Sequence, residues 1–191
     1  MTNLNKTTLL LIRHGQTEWN LLGKYTGQSD IPLNETGRQE AHNLAKKLEE
    51  NPPEVVVTSD LIRARETAEI VAAPFNLPVH TNSDLREINQ GVWEGMHFSD
   101  IKARYAAEFA EREANPLEVA PPEGETVGQV RERVLTAVTK IIQTYPGQRV
   151  AVVAHGLSLA LIKAHYTNTP IQKVWDLIPP NAQAEELVIP T

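Results

Sequence analysis

The 191-residue chain contains no cysteine, which excludes disulfide bonds, thiolate nucleophiles and zinc sites built from cysteine. Paired histidines at metal-ligand spacing are missing from every predicted helix, so we expect neither a metal nor another cofactor. There is no basic run, and the net charge of −6 lacks the positive footprint of a nucleic-acid-binding protein. The apolar run after residues 1–6 is too short for a signal peptide or a membrane span. We therefore expect a cytoplasmic protein that binds neither nucleic acid nor membrane.

Length and composition are those of an ordinary globular protein, with 41% hydrophobic and 22% charged residues. A chain of this length can bury a full core, so residues 1–191 are predicted to form a single domain. Predicted strands and helices alternate along the chain without an internal repeat. This alternation predicts a three-layer α/β/α sandwich whose sheet is mostly parallel.

The stretch Leu9–Ile12 consists of four consecutive apolar residues, which is typical of a central strand buried on both faces. Arg13 and His14 follow directly, at the end of the strand where ligands bind in open α/β sheets. A histidine in that position is often only a hydrogen-bonded strand end. However, a second predicted strand, residues 149–154, ends in His155, and a helix follows it. Two histidines at two strand ends indicate an anion site at a helix N-terminus.

Hydrophobic periodicity and capping residues place the other elements. The predicted helices are Glu35–Glu50 after an Asn34 cap, a helix that carries Arg63, Phe98–Glu113, a helix from Thr126 to Tyr145, and Leu157–Tyr166. The other predicted strands are Val55–Thr58, Val79–Thr81 and the edge strand Glu185–Ile189. The predicted loops are residues 16–33, 84–95 and 115–125.

Two arginines, Arg63 and Arg65, lie on the helix after strand 55–58. Side chains two positions apart on a helix do not share a face, so only one of them can point toward the strand ends. The other is expected to form an ordinary salt bridge on the surface. His42, on the charged face of helix 35–50, is expected to be solvated and to have no catalytic role.

Four segments together carry a resemblance to a known family. These segments are Leu9–Asn20, Ser59–Ala68, Leu85–Gly95 and Val150–Gly156. In this order they resemble the histidine phosphatase superfamily, the phosphoglycerate-mutase-like proteins. The resemblance implies the phosphoglycerate-mutase-like form of the three-layer sandwich. Within the family, residues 85–95 and the short stretch after them look most like small bacterial phosphatases, including α-ribazole-phosphate phosphatases and broad-specificity ones.

The resemblance also implies roles for individual residues. His14 would attack phosphorus and become phosphohistidine, while Glu87 would protonate the departing alcohol oxygen and then activate water. His155 is the third expected catalytic residue. The expected phosphate ligands are Arg13, Arg63, His155, Asn20 and Gly156, with Thr26 and Gly27 nearby. Glu94 is the other candidate for the proton donor and ranks second to Glu87.

In phosphoryl transfer the protein contributes mainly by positioning the reactants and stabilising charge, and less by forming bonds itself. The expected cluster of cationic and polar phosphate ligands is suited to this role. Arginine offers a planar fork that matches phosphate oxygens and stays charged. Neighbouring cations disfavour protonation of His14, which keeps one ring nitrogen free to attack, and a backbone carbonyl would fix its tautomer. Asn20 has a second interpretation, since its side chain could simply brace the loop by bonding to backbone.

A mutase is an open alternative. It would return the phosphoryl group to the substrate, and would need a site closed to water and further cations for a substrate carboxylate. The resemblance implies a longer insertion in mutases, whereas His155 follows Glu87 by only 68 positions. The cations of this region are Lys102, Arg104 and Arg112, on an acid-rich segment. Residues 94–124 form a candidate short insertion that covers the substrate, and hydrolysis is the favoured reaction.

A phosphate-binding module without catalysis is the second alternative, but such a chain would be expected to lack one of the core residues, and all are present. The expected partner is a small phosphorylated metabolite. Its leaving group could be bound by the aromatic residues that follow Glu87, although aromatic residues at helical spacing are more often core. These aromatic residues are Trp93, Phe98, Tyr105 and Phe109.

Overall fold

The computed structural model describes residues 6–190, and the polar segment 1–5 and Thr191 lie outside the described residues. A five-stranded sheet forms its centre. The strands are β1 (Lys6–Arg13), β2 (Val55–Thr58), β3 (Val79–Thr81), β4 (Arg149–Ala154) and β5 (Ala184–Pro190). The spatial order is β3-β2-β4-β1-β5, and only the edge strand β5 runs antiparallel to its neighbour. The sheet is therefore mostly parallel, as predicted.

Seven α-helices connect or cover these strands within the described part of the chain. They are α1 (Glu18–Leu21), α2 (Glu35–Leu48), α3 (Ile62–Ala72), α4 (Phe98–Arg104), α5 (Ala106–Ala114), α6 (Val127–Thr144) and α7 (Gly156–Tyr166). The predicted caps are present: Asn34 accepts from the Gly37 backbone N–H, and Thr126 forms a capping box with Gln129. Among residues 6–190, no helix is both long enough and apolar enough to cross a bilayer.

Helices cover both faces of the sheet, because strand side chains alternate between the two faces. Leu9 and Leu11 of β1 pack into the hydrophobic cluster that contains the inner faces of α6 and α7. Leu10 and Ile12 pack into the opposite cluster, which α2 and α3 complete. All four side chains are essentially removed from water. The run of four apolar residues thus fits a strand covered on both sides, and the fold is a three-layer α/β/α sandwich.

The structure departs most from the predicted elements at two places. Residues 16–33 are not entirely loop, because a reciprocal capping box between Thr17 and Asn20 starts the short helix α1. The predicted helix 98–113 is broken at Tyr105, where φ is −127° and ψ is 39°. The break turns the chain so that residues of α5 reach the fully buried indole ring of Trp93.

Candidate active site

His14 and His155 meet at the carboxyl end of the sheet. They directly follow β1 and β4, which are adjacent parallel strands with Arg13 paired to Ala154. The centroids of the two imidazole rings are 5.2 Å apart, and both rings are buried. The sheet register therefore brings together the two histidines that the sequence places at strand ends.

Two hydrogen bonds determine which ring nitrogen of His14 carries the proton and which has a lone pair. Nδ1 lies 2.7 Å from the carbonyl oxygen of Gly15, and this oxygen can only accept, so Nδ1 carries the proton. Nε2 then has a lone pair, which accepts a hydrogen bond of 3.3 Å from Nε of Arg63. The predicted backbone carbonyl is present, and the lone pair on Nε2 is directed at a cation.

Arg63 is the arginine of α3 that turns inward, with only 1% of its surface exposed. Its two terminal nitrogens donate to the carbonyl oxygens of Ser29 (2.8 Å) and Gly27 (2.7 Å). Burial lowers the pKa of Arg63 to about 10, so it remains charged at neutral pH. Arg65 lies on the surface, with its Nε 3.9 Å from a carboxylate oxygen of Glu69. Arg63 is thus the member of the pair that lies at the strand ends, and its role as a phosphate ligand stays a prediction.

Arg13, Glu87 and Gly156 form the other side of the cluster. A Cβ added at Gly156 would lie 3.6 Å from Oε2 of Glu87 and 3.7 Å from Cζ of Arg13. The guanidinium of Arg13 donates to the carbonyl oxygen of Pro179 at 3.0 Å, and its Nε has no hydrogen-bond partner among residues 6–190. The absence of a side chain at Gly156 thus leaves space between a carboxylate and a cation.

The carboxyl group of Glu87 is fixed by two backbone N–H groups. Ile88 donates to Oε1 at 2.9 Å, and Leu157, in the first turn of α7, donates to Oε2 at 3.1 Å. The competing carboxylate, Glu94, accepts at Oε1 from the backbone of Gln28 (2.8 Å) and Gln90 (3.1 Å). Glu94 therefore braces two loops against each other, whereas Glu87 lies beside Arg13 and Gly156.

Arg133 of α6 holds the backbone that carries Glu87. Its guanidinium donates to three carbonyl groups of this segment, those of Asp84 (2.9 Å), Arg86 (2.6 Å) and Glu87 (2.9 Å). It also forms a salt bridge of 2.9 Å with Glu125. Arg133 was not predicted from the sequence, where its only signal is its place beside the apolar face of α6.

Three further polar residues support the histidines and were not predicted. Ser59 Oγ lies 2.8 Å from Nε2 of His155, and Thr67 Oγ1 accepts from the Gly15 N–H at 3.0 Å. Asn181 donates from its side-chain amide to the carbonyl oxygen of His14 at 2.8 Å. Ser59 follows β2 as His14 follows β1, so the same strand-end argument could have identified it. No local pattern points to Asn181.

Asn20 and Thr26, which the resemblance places near the phosphate, differ in how they are engaged. The side-chain oxygen of Asn20 accepts from the Thr17 N–H at 3.1 Å and so braces the loop. The buried hydroxyl of Thr26 has no hydrogen-bond partner among residues 6–190. Asn20 therefore braces the loop in this structure, and its contact with phosphate stays a prediction.

Both histidines are held in the neutral form. Burial, reinforced by the positive charges of Arg63 and Arg13, lowers the pKa of His14 well below its ordinary value of 6.5. Burial likewise lowers the pKa of His155 well below 6.5, with Arg63 the largest charge contribution. At neutral pH the site therefore combines two neutral imidazoles with the charged side chains of Arg13 and Arg63.

These pKa values predict that the protein loses stability when the pH falls below 6.5. There the unfolded chain binds protons at His14 and His155 that the folded chain does not bind, so the free energy of unfolding decreases as the pH drops. Each histidine contributes a slope of up to about 1.4 kcal/mol per pH unit. Urea unfolding between pH 7 and pH 5.5 measures this slope. His14→Gln and His155→Gln should each flatten it, and the exposed His42→Gln should not; equal slopes in all four proteins would contradict the prediction.

No group of three His, Asp or Glu side chains suited to hold a metal ion is found in residues 6–190. The charge around His14 comes instead from Arg13 and Arg63, which would repel a divalent cation. The donors that converge on this space are N–H groups of arginine, histidine and backbone, which match the oxygens of a phosphate group.

Comparison with known proteins agrees with this chemistry. The model of the histidine phosphatase superfamily (branch 1) matches residues 9–190. The Bacillus subtilis protein named Uncharacterized phosphatase PhoE is 34% identical over 153 residues, which cover 80% of this chain and 74% of PhoE. Escherichia coli GpmB, named a probable phosphoglycerate mutase, is 32% identical over 160 residues, with 84% and 74% covered. The crystal structure of the alpha-ribazole phosphatase from Shigella flexneri superposes with a TM-score of 0.85 at 29% identity, covering 94% of this chain and 89% of that one. The resemblance in the four segments is thus confirmed, and the chain belongs to the histidine phosphatase superfamily.

Proposed function

We propose that the protein hydrolyses the phosphomonoester of a small metabolite through a phosphohistidine intermediate on His14. The observation that carries this proposal is the state of the His14 ring: Nδ1 is fixed by the Gly15 carbonyl, and the unprotonated Nε2 faces Arg63 at 3.3 Å. A neutral imidazole beside two cations is a nucleophile poised for an anionic electrophile.

In the first step, Nε2 of His14 attacks phosphorus and the bond from phosphorus to the alcohol oxygen breaks. The electron pair of that bond goes to the oxygen, which takes a proton from Glu87. Arg13 and Arg63 stabilise the charge that develops on the equatorial oxygens. The bound phosphoryl group replaces the lone pair of His14 as the acceptor of the Arg63 N–H.

His155 has a ring N–H available for the same oxygens. Ser59 Oγ accepts from the Leu61 N–H at 3.3 Å, so its own proton can be donated to Nε2 of His155. The imidazole proton then lies on Nδ1, which is buried and has no hydrogen-bond partner among residues 6–190. An oxygen of the phosphate group would satisfy this donor.

In the second step, water attacks phosphorus and the bond between phosphorus and Nε2 of His14 breaks. Glu87, now a carboxylate, takes a proton from the water, so one side chain serves as acid and then as base. Inorganic phosphate leaves, and His14 is again neutral. Metal independence is part of the proposal, because Arg13 and Arg63 supply the charge that a metal ion would otherwise provide.

A phosphoglycerate-type mutase is the second candidate function, favoured by the likeness to GpmB. Two of the three insertion cations are arranged less favourably for it, whereas the third, Arg112, is buried against the ring of Trp93. Lys102 lies over the ring of Phe98 at 4.7 Å, and Arg104 is exposed. Hydrolysis requires only that water reach the phosphohistidine, and it is the reaction that we propose.

A screen of phosphorylated metabolites, including 3-phosphoglycerate and nucleoside monophosphates, tests the proposed function. Release of inorganic phosphate is expected, and it should persist in excess EDTA. With 3-phosphoglycerate, phosphate should form without accumulation of 2-phosphoglycerate. Accumulation of the isomer would instead establish the mutase. Complete loss of activity on chelation, restored by Mg²⁺ or Zn²⁺, would contradict the metal-free mechanism.

A further inference from the structure

The segment that carries Glu87 has no regular secondary structure. Residues 86–90 belong to no helix or strand, so their backbone N–H and C=O groups need partners from elsewhere in the molecule. Arg133 donates to the carbonyl oxygens of Arg86 (2.6 Å) and Glu87 (2.9 Å), and Ser158 Oγ of α7 donates to that of Arg86 at 2.7 Å. Side chains from distant parts of the chain therefore determine where this segment lies.

Glu125 is the residue at which several of these contacts converge. Its two oxygens accept from Nε (3.0 Å) and Nη2 (2.9 Å) of Arg133, as a bidentate pair. Oε2 also accepts from the Asn89 backbone N–H at 2.8 Å and from the side-chain amide of Gln28 at 3.2 Å. Only 17% of the Arg133 side chain and 23% of the Glu125 side chain are exposed, so water and salt screen the pair weakly. Glu125 thus joins α6, the segment of Glu87 and the loop that contains Gln28.

Gln28 connects the segment of Glu87 to the loop that Arg63 holds. Its side-chain amide donates to the carbonyl oxygen of Glu87 at 3.0 Å. Its neighbours in the chain, Gly27 and Ser29, accept at their carbonyl oxygens from the terminal nitrogens of Arg63. A single residue therefore links the backbone of the proposed proton donor to the carbonyl groups bound by a proposed phosphate ligand.

The distance between Glu87 and Arg63 matters for the first step of the proposed reaction. Arg63 holds the phosphate group, and Glu87 has to meet the departing alcohol oxygen at hydrogen-bond distance, about 2.6–3.2 Å. A displacement of about 1 Å can lower the rate of such a step by about 10²-fold. Contacts that fix Glu87 relative to Arg63 should therefore affect protonation of the leaving group.

We propose that Gln28, Glu125 and Arg133 are positioning residues that hold the general acid Glu87 at the correct distance from the phosphate group bound by Arg63. This inference rests on the proposed function, since these residues act through the acid of the same reaction. Their role concerns protonation of the leaving group and not the binding of phosphate.

Glu94 contacts the same loop in a different way. It accepts from the backbone N–H of Gln28 at 2.8 Å and from the hydroxyl of Ser29, and so supports the backbone whose carbonyl groups Arg63 binds. Replacing the side chain of Gln28 leaves these contacts in place. The effect of Gln28 on the acid can therefore be measured without disturbing the phosphate ligand.

The test compares kcat/KM for an alkyl ester with kcat/KM for the aryl ester p-nitrophenyl phosphate, because both constants cover only the steps up to release of the alcohol. The alkyl ester is β-glycerol phosphate or, where the protein does not hydrolyse it, the best alkyl substrate of the metabolite screen. A fault in the position of the acid should slow the alkyl ester selectively, since its leaving group needs the proton.

Gln28→Met removes the amide at nearly constant side-chain length. The Glu87 carbonyl keeps its bond to Arg133, and Glu125 keeps its bond to the Asn89 N–H, so the variant should fold. Its alkyl-to-aryl ratio should fall roughly 2- to 10-fold, the effect of one hydrogen bond. Arg133→Gln should lower the ratio about 10- to 100-fold, and Arg133→Lys, which keeps the charge, should lower it less.

Double variants distinguish positioning of the acid from a general structural role. In a Glu87→Gln background there is no acid to position, so Gln28→Met and Arg133→Gln should lower the alkyl-to-aryl ratio no further. A loss of general stability would instead lower kcat/KM for both esters in either background. A thermal melt of each variant shows whether it is folded.

Arg149→Gln is the matched control for Arg133→Gln. The Arg149 side chain is 14% exposed, pairs with Glu186 and donates to the carbonyl oxygen of Asn51 at 3.1 Å. It lies at the start of β4, at the end of the strand opposite to His155. Arg149→Gln should retain the wild-type ratio.

The possible outcomes separate the inference from the proposed function. If Glu87→Gln lowers the ratio but Gln28→Met and Arg133→Gln do not, or if their effects multiply with that of Glu87→Gln, the inference is wrong and the proposed function stands. If Glu87→Gln itself leaves the ratio unchanged, both the inference and the assignment of the acid are wrong. If the wild-type protein hydrolyses no phosphomonoester, the proposed function itself is rejected.

Discussion

Replacing His14 with alanine should reduce turnover by roughly 10⁴-fold or more while leaving the fold intact. Among the described residues, His14 is the group that combines an unprotonated nitrogen with a neighbouring cation at 3.3 Å. The other buried imidazole, that of His155, has its Nε2 engaged by Ser59 at 2.8 Å. Without His14, water would have to attack the substrate directly at a site built for an imidazole. The measurement is phosphate release, together with a thermal melt to show that the variant is folded.

His42→Ala is the control for this experiment, because it removes an exposed histidine of α2. It should retain wild-type turnover. Rapid quenching with a phosphorus-labelled substrate should trap a phosphoenzyme in wild type that is labile in acid and stable in base, and His14→Ala should show none. A His14→Ala variant that keeps near wild-type turnover would contradict the phosphohistidine mechanism.

Glu87→Gln should affect substrates according to how much their leaving groups need a proton. An alkyl phosphate has a poor leaving group and should lose about 10²- to 10⁴-fold in rate, the usual contribution of general acid catalysis. An aryl phosphate such as p-nitrophenyl phosphate needs little protonation and should lose much less in the first step. Its phosphoenzyme should persist, because the water of the second step has lost its base.

Glu94→Gln provides the comparison, since Glu94 is the other carboxylate of the same segment. Its oxygens brace Gln28, Ser29 and Gln90, so its replacement should slow alkyl and aryl substrates alike. If instead Glu87→Gln slows alkyl and aryl substrates equally, and Glu94→Gln slows alkyl substrates much more than aryl ones, the general acid is Glu94. Burst kinetics with the aryl substrate distinguish the two steps.

Much of the fold follows from local sequence patterns. The bounds of β2, β3 and β4 agree with the predicted runs, because short apolar segments between polar ends have few alternative structures in a covered sheet. The proximity of His14 and His155 could also be predicted from the sequence. Residues at the carboxyl ends of adjacent parallel strands share one edge, whatever the details of packing.

The unpredicted parts of the site depend on contacts between distant segments. Arg133 looks like any charge on an amphipathic helix until α6 is packed against the segment that carries Glu87. Asn181 lies in a proline-containing stretch with no periodicity, and its contact with His14 spans 167 positions. The break at Tyr105 likewise depends on where Trp93 is buried. Such features are set by tertiary packing, which local propensity and hydrophobic period do not encode.

The contacts of residues 179–182 with β1 have a consequence for biosynthesis. Pro179 accepts from Arg13, Asn181 holds the carbonyl of His14, and the Ala182 N–H bonds to the Arg13 carbonyl. His14 is thus translated 167 positions before Asn181, which supports it. At about 5–20 residues per second, translation separates them by roughly 10 to 30 s. A nascent chain on the ribosome therefore carries an incomplete site until residues 179–182 have been made, and phosphatase activity should appear only once these residues have left the ribosome.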